Sequence, residues 1–195
     1  MRGTVAAPVS QRELLGRDGL LEQVAGFLRE AKTVALVEPR DVGKTGLIGA
    51  LAVPEVVVVD PFKQVHSHLA ARIRRAIYRR TVHLVAVRSL NRGQLGAVRR
   101  ITFWFTEVPV PPLTPYWMRQ VIRREGARAD LAPELLAPVW SRRVMRLARG
   151  RPGLAVAMVR AAAAPRRAKG TIPSPDAACI EARIGQARLL TRELV

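Results

Sequence analysis

The segment that most restricts how this chain can fold lies between Thr33 and Leu51. Thr33-Val34-Ala35-Leu36-Val37 is a short apolar run rich in β-branched residues, and a turn containing Pro39 and Asp41 follows it. Gly43-Lys44-Thr45 then opens a stretch in which Leu47, Ile48 and Leu51 recur at helical spacing. Strand, tight turn and helix in so short a span form the first part of a parallel β-α-β unit, since parallel strands need a crossover between them. The next apolar run, Val56-Val57-Val58-Val59, shows no alternation of apolar and polar residues, which fits a strand covered on both faces. The predicted fold class is therefore α/β, with a three-layer core around a short parallel sheet.

Periodicity fills in the rest. Leu20, Leu21, Val24, Phe27 and Leu28 predict an amphipathic helix before the first strand, with Asp18 as its N-cap. Val65, Leu69, Ile73, Ala76 and Ile77 form one stripe of a later helix over 64–80, with Arg72, Arg75 and Arg79 beside the stripe and Arg74 opposite. Val82 to Val87 reads as a strand, Ser89, Asn91 and Gly93 as a loop, and Ile101 to Phe105 as a further strand. Past Pro109-Val110-Pro111-Pro112 the pattern turns helical: Pro115 to Arg124 after Thr114 as cap, Pro133 to Arg149 ending at Gly150, and Gly153 to about Ala163. Pro165 to Pro175 reads as a basic linker and Ala177 to Leu194 as a terminal helix. The expected organisation is a flexible leader over 1–12, a reduced α/β domain over 13–110, a small helical lid over 111–164, and a linker with its helix over 165–195.

Charge narrows the partners. The 195 residues carry 33 Lys and Arg against 15 Asp and Glu, a formal net charge of +18. Arginine-rich composition explains part of that excess but not its placement: Pro61 to Thr106 contains no acidic residue, while Lys63, Arg72, Arg74, Arg75, Arg79, Arg80, Arg88, Arg92, Arg99 and Arg100 all fall inside. Such segregation predicts a basic face for a phosphate backbone, which rewards neutralisation by releasing counterions. Arg72, Arg74, Arg75, Arg79 and Arg80 are the expected contacts, with duplex DNA as the leading partner. No apolar run approaches the roughly 18 residues of a membrane span, the first residues lack a secretory apolar core, and a lone Cys179 forms no internal disulfide, so a cytoplasmic setting is expected.

The chemistry rests on residues 38–45. In the phosphate-binding loop G-x-x-x-x-G-K-[ST], backbone N–H groups wrap the phosphates, the lysine neutralises their charge, and the hydroxyl holds magnesium. Here the eight positions read Glu38-Pro39-Arg40-Asp41-Val42-Gly43-Lys44-Thr45, so the second half is intact and Glu38 replaces the first glycine. Val42, Gly43, Lys44 and Thr45 are the predicted nucleotide contacts, with Thr45 also the predicted ligand of Mg2+ and ATP the predicted nucleotide. A bare Gly-Lys-Thr also begins ordinary helices; the preceding strand and following helix favour the loop.

Around these residues the chain resembles reduced P-loop ATPases of the AAA+/STAND group, initiator-clade members and TniB-type transposition ATPases included. Leu14-Leu15-Gly16-Arg17-Asp18 is similar to the element that lies beside the adenine in those families, which implies a nucleotide contact for Arg17. Ser89, Asn91, Leu95, Arg99 and Arg100, then Pro111-Pro112-Leu113-Thr114, resemble the sensor strand, the arginine element and the start of the lid. Arg151, in Leu147-Ala148-Arg149-Gly150-Arg151-Pro152-Gly153, matches a lid motif that touches nucleotide. The resemblance spans about 14–164. It implies an ATP-binding protein that grips nucleic acid and assembles with copies of itself or with partners, as a clamp or a target-selection regulator.

The resemblance breaks at the acids that hydrolysis needs. The family's magnesium strand ends in Asp-Glu, whereas Val56 to Val59 leads into Asp60-Pro61. On one reading Asp60 is the magnesium acid, with Pro61 in the place of the catalytic glutamate. On the other, which the spacing from Thr45 favours, Asp60 ends an earlier strand and the acid-bearing segment is missing altogether. Asp60 and Arg100 are thus candidate catalytic groups without a complete set, and weak or absent turnover is expected. The competing reading is a degenerate ATPase-fold scaffold or regulatory subunit of a larger complex. His66, His68 and His83 lack the companions of a zinc site. Trp104, Trp117 and Trp140 stand in apolar patterns that predict packing before base stacking, and Cys179 reads as a small buried residue.

Overall fold

In the computed structural model the described residues are 14–37, 41–51, 56–58, 67–79, 84–87, 104–131, 137–169 and 173–192. They belong to two compact units, Met1–Pro111 and Pro112–Val195.

The first unit is organised by β1 (Thr33–Val37), whose Val34, Ala35 and Leu36 are inaccessible to solvent. The described strands make one four-stranded sheet in the order β2 (Val56–Val58), β3 (Leu84–Val87), β1, β4 (Phe105–Pro109). All pairings are parallel: Val34 is opposite Leu84 on one side and Thr106 on the other, while Val56 is opposite Leu84. Parallel pairing requires helical crossovers, supplied among the described residues by α2 (Lys44–Ala50) and α3 (Ser67–Tyr78). The helix α1 (Asp18–Arg29) precedes the sheet. Its Val24 joins Val34, Leu36, Val42, Leu47, Val108 and Val110 in the core, with Leu14, Leu20, Phe27 and Ile48 packed against them. Each such aliphatic side chain contributes about 1.5–3 kcal/mol when fully buried.

Local chemistry moved several boundaries. Asp18 is the first residue of α1 and Arg17 occupies the N-cap position, so Asp18 meets the helix dipole from the first turn and does not cap it. Of the strand expected over Ile101 to Phe105, residues 101–103 lie outside the described residues, while β4 begins at Phe105 and runs into the proline segment. Pro109 is tolerated because β4 lies at the edge of the sheet, where a missing N–H breaks no ladder. Val110 N–H continues the pairing by donating to the Val37 carbonyl at 3.3 Å. Ser67 is the first described residue of α3.

The second unit is helical: α4 (Pro115–Arg128), α5 (Pro138–Ala148), α6 (Pro152–Lys169) and α7 (Pro175–Arg192). Of the helix expected over Pro133 to Arg149, residues 132–136 lie outside the described residues; α5 begins at Pro138, and proline suits the first turn of a helix and not its interior. The expected linker from Pro165 is helical as far as Lys169, and α7 is part of the unit's core rather than an appendage. Ala155, Ala162, Ala178 and Ala182 are buried with Cys179, alongside Met118, Ile122, Val144, Met158 and Val159. Small side chains on α6 and α7 permit the close packing that composition alone does not advertise. Cys179 is the small buried residue expected.

Two ion pairs and one turn fix these helices. Glu125 is only 5 % exposed, and Arg160 Nε donates to its Oε1 at 2.6 Å, joining α4 to α6. Arg143 donates from Nε and Nη2 to the two oxygens of Asp176, at 3.2 and 2.8 Å, joining α5 to α7. The α5 helix ends through consecutive left-handed residues, Arg149 (φ 49°) and Gly150 (φ +71°). Gly150 C=O accepts from Leu113 N–H at 2.8 Å, and a Cβ on Gly150 would lie 2.5 Å from Pro112 Cβ and 2.9 Å from the Leu113 carbonyl oxygen.

Gly150→Ala therefore meets both a disfavoured backbone conformation and a backbone clash. It is expected to destabilise the second unit by about 2–4 kcal/mol, read as a lowered urea midpoint. The hydrogen bonds from Arg143 hold the Asp176 carboxyl below its ordinary pKa, and the positive charge adds to that effect. A lowered folded-state pKa stabilises above the unfolded-state value and is lost as pH falls through the folded one. Amide protection factors in the first turn of α7, taken relative to the intrinsic exchange rate at each pH, should thus fall once pH drops below about 4, and Asp176→Asn should remove that pH dependence.

Candidate functional site

β1 delivers the chain to the carboxyl edge of the sheet, where ligands of open α/β folds bind. Gly43 there adopts φ 98° and ψ 20°, left-handed values that a residue with Cβ avoids, and Asp41 also has positive φ at 69°. Lys44 and Thr45 follow as the first two residues of α2, so the chain passes from left-handed to right-handed backbone between Gly43 and Lys44. Such alternation turns successive N–H groups toward one concavity and suits an anion.

Two anchors hold this loop from within the first unit. The Val42 side chain is buried in the core beside Leu36 and Leu47. Its carbonyl accepts from Arg17 Nη2 at 3.0 Å in a buried contact, and Arg17 is itself only 6 % exposed. Arg17 is positioned by Gly16 (φ 69°) and by a turn in which its N–H donates to the Leu14 carbonyl at 3.1 Å. Leu14 in turn lies against the start of α2, close enough that a Cβ on Gly46 would come 2.9 Å from its Cδ2. The Leu14–Asp18 element and the loop are thus one packed structure. Arg17, for which the resemblance implies a nucleotide contact, also donates to the loop's own backbone.

The same sheet edge locates the acid question. The three strands β1, β3 and β2 run parallel, so their carboxyl ends face the same way. Asp60 comes two residues after β2 and lies outside the described residues. The strand leading to it is separated from β1 by β3, not adjacent to it. Arg80, Ser89, Asn91, Arg99, Arg100, His66 and His83 also lie outside the described residues. Arg151 belongs to the second unit, directly before α6, where its N–H donates to the Ala148 carbonyl at 3.0 Å. No group of three His, Cys, Asp or Glu arranged for a metal occurs among the described residues. Nor is any described helix long and apolar enough to cross a membrane.

The basic helix is accessible. Arg72, Arg74, Arg75 and Arg79 are all exposed on or directly after α3, as is His68. The tryptophan expectation fails for Trp104, which is 37 % exposed and meets Tyr78, itself 77 % exposed, edge-to-face at a centroid separation of 5.7 Å. Trp117 and Trp140 are partly buried against the helical core, as expected. Tyr78 falls off the apolar stripe of its helix, and nothing local in the sequence links it to Trp104.

A parallel sheet whose β1 feeds a Gly-Lys-Thr loop and helix defines an α/β fold of the P-loop kind, and a helical unit follows it in the chain. The solved structure of the Aeropyrum pernix ORC1 protein in complex with DNA is similar to this chain, with a TM-score of 0.56 at 16% sequence identity. The match covers 88% of this chain and 65% of that one, so this chain spans less than two thirds of that protein's length. No protein-family model matches the chain, and no curated protein matches its sequence.

Removing the guanidinium leaves the Val42 carbonyl buried without that donor. Arg17→Ala is expected to lower the stability of the first unit by about 1–3 kcal/mol, and amide exchange over 41–51 should accelerate more than exchange in α4. Unchanged protection of the loop would show that Arg17 does not brace it.

Proposed function

We propose that this chain is an ATP-binding, AAA+-like protein that grips nucleic acid, duplex DNA first, and assembles with copies of itself or with partners. Bound nucleotide would act as a conformational clamp, in the manner of a target-selection regulator. The observation that carries the proposal is the loop itself: Gly43 in left-handed backbone, Lys44 and Thr45 opening α2, and Val42 tied down by Arg17. The residues present suit the group they would hold. Backbone N–H groups from Gly43 onward would meet the phosphates, Lys44 would neutralise their charge, and the Thr45 hydroxyl would join a magnesium ion. Magnesium would supply charge neutralisation between the phosphates when bound.

Nucleic acid is the partner that the charge favours. The net charge of +18, the acid-free span from Pro61 to Thr106, and the exposed arginines of α3 offer phosphate contacts without acidic interruption. The similar fold of an ORC1 protein solved with DNA supports this choice. Contacts of this kind grip the backbone and carry little base readout.

Turnover is the weaker half of the chemistry. Asp60 is followed by Pro61, no apolar strand of the sequence ends in an acidic pair, and Arg100 would act only across an interface between subunits. That same deficit favours a second reading, in which the chain is a regulatory or scaffolding subunit that holds nucleotide structurally or not at all.

Filter binding with radiolabelled ATP separates these readings. Retention that Lys44→Ala reduces at least tenfold, with phosphate release near background, is the expected result. Absence of retention overturns nucleotide binding, and rapid phosphate release abolished by Lys44→Ala overturns the non-hydrolysing clamp. For duplex DNA, neutralising six phosphates gives a slope of log K against log salt of about −5. An affinity indifferent to salt would remove the nucleic-acid half.

A further inference from the structure

The arginines of α3 account for phosphate contacts, but they leave an exposed aromatic pair unexplained. Tyr78 is 77 % exposed and Trp104 37 % exposed, and their rings meet at 5.7 Å with an interplanar angle of 78°. An edge-to-face pair of this kind orients both rings, while the exposure of Tyr78 leaves most of its surface in water. So exposed a ring gains little from burial in the fold. Its neighbours give it a different use. Tyr78 follows Arg74 by four residues and Arg75 by three, so it shares a helix face with both, and Arg79 is the next residue in the chain. Arg74, Arg75 and Arg79 are all exposed.

A π surface set among exposed guanidinium groups matches the two chemistries of an unpaired nucleotide: a base face that stacks and a phosphate that needs a cation. Bases stack on aromatic rings whatever their identity, while arginine tracks the backbone. A paired base inside a duplex offers neither face to such a ring. We propose that Tyr78, oriented by Trp104, is a stacking platform for an unpaired base, and that α3 therefore engages single-stranded or locally unstacked nucleic acid. This rests on the nucleic-acid reading above and sharpens it. Duplex would be held through its phosphates alone, and unpaired bases would add a contact that salt does not screen.

Salt dependence separates the two contributions. Fluorescence anisotropy of the full chain would be measured with three labelled probes of equal length: a single-stranded oligo-dT, a duplex, and an abasic strand with the same phosphates and no bases. The oligo-dT is expected to bind about tenfold to a hundredfold more tightly than the abasic strand, the range that one stacked base supplies. Tyr78→Ala should erase that preference and leave the salt slope unchanged, whereas Tyr78→Phe should retain it. Arg75→Ala should weaken all three probes and shallow the slope. Trp104→Phe keeps a ring beside Tyr78 and should retain most of the preference.

Equal binding of oligo-dT and abasic strand overturns the platform while leaving the phosphate reading intact. So does an effect of Tyr78→Ala on the sedimenting mass of the nucleic-acid-free protein, which would make the pair a contact between copies. Failure to bind any of the three probes overturns both readings together.

Discussion

Parallel pairing of β1 on both of its edges is the constraint from which the first unit follows. A strand held between β3 and β4 has no free backbone edge, so its neighbours must be brought to it by crossovers that run back along the sheet. Every carboxyl end then lies on the same side, and the turn after Val37 opens where the other strands also end. The described part of that turn, 41–43, is held at two positions. Val42 sinks into the core while Gly43 reverses the backbone into α2, so side-chain burial and left-handed geometry act on adjacent residues. Burial and left-handed geometry together restrict the backbone of Val42 and Gly43.

Arg17 extends that restraint upstream. A guanidinium that is buried and pointed at a backbone carbonyl differs from a surface cation, because its loss exposes an acceptor that no water reaches freely. The Leu14–Asp18 element therefore couples the start of α1 to the loop through two contacts of different kinds, Arg17 on Val42 and Leu14 beside Gly46. Any movement of the loop must either carry this element along or break a buried hydrogen bond. The glycines serve the same arrangement: Gly16 supplies the turn that aims Arg17, and Gly46 leaves room for Leu14.

Much of this was legible in the sequence, and what was not has a physical reason. Thr33 to Val37 and the Gly-Lys-Thr that follows identified strand, loop and helix because periodicity and turn chemistry are local signals. The prolines misled at element ends. Pro109 closes an edge strand and Pro138 opens a helix, and only the position in the sheet or the helix reveals which role a proline takes. The contribution of α7 was hidden because its buried side chains are Ala178, Cys179 and Ala182, which carry almost no hydrophobic contrast. Arg17 was singled out through a motif, yet its partner is 25 residues away and no spacing rule names a carbonyl. Trp104 was assigned to packing from its apolar neighbours, and the meeting with Tyr78 is likewise long-range.

Charge and aromatic surface on α3 act over different distances. Guanidinium groups attract a polyanion from beyond contact, within a screening length of about 8 Å at physiological salt, and set the encounter. A stacking ring acts only at contact and is nearly indifferent to salt. A helix carrying arginines alone would bind any phosphate backbone and lose its hold uniformly as salt rises. On the proposed reading, Tyr78 among them would change the ranking of substrates as well as the strength of binding, because an unpaired base gains where a paired one does not. For the proposed clamp the consequence would be directional: a basic face that collected duplex would settle preferentially wherever stacking is already broken. Sequence-independent binding would then acquire a structural preference without a single hydrogen bond to a base edge.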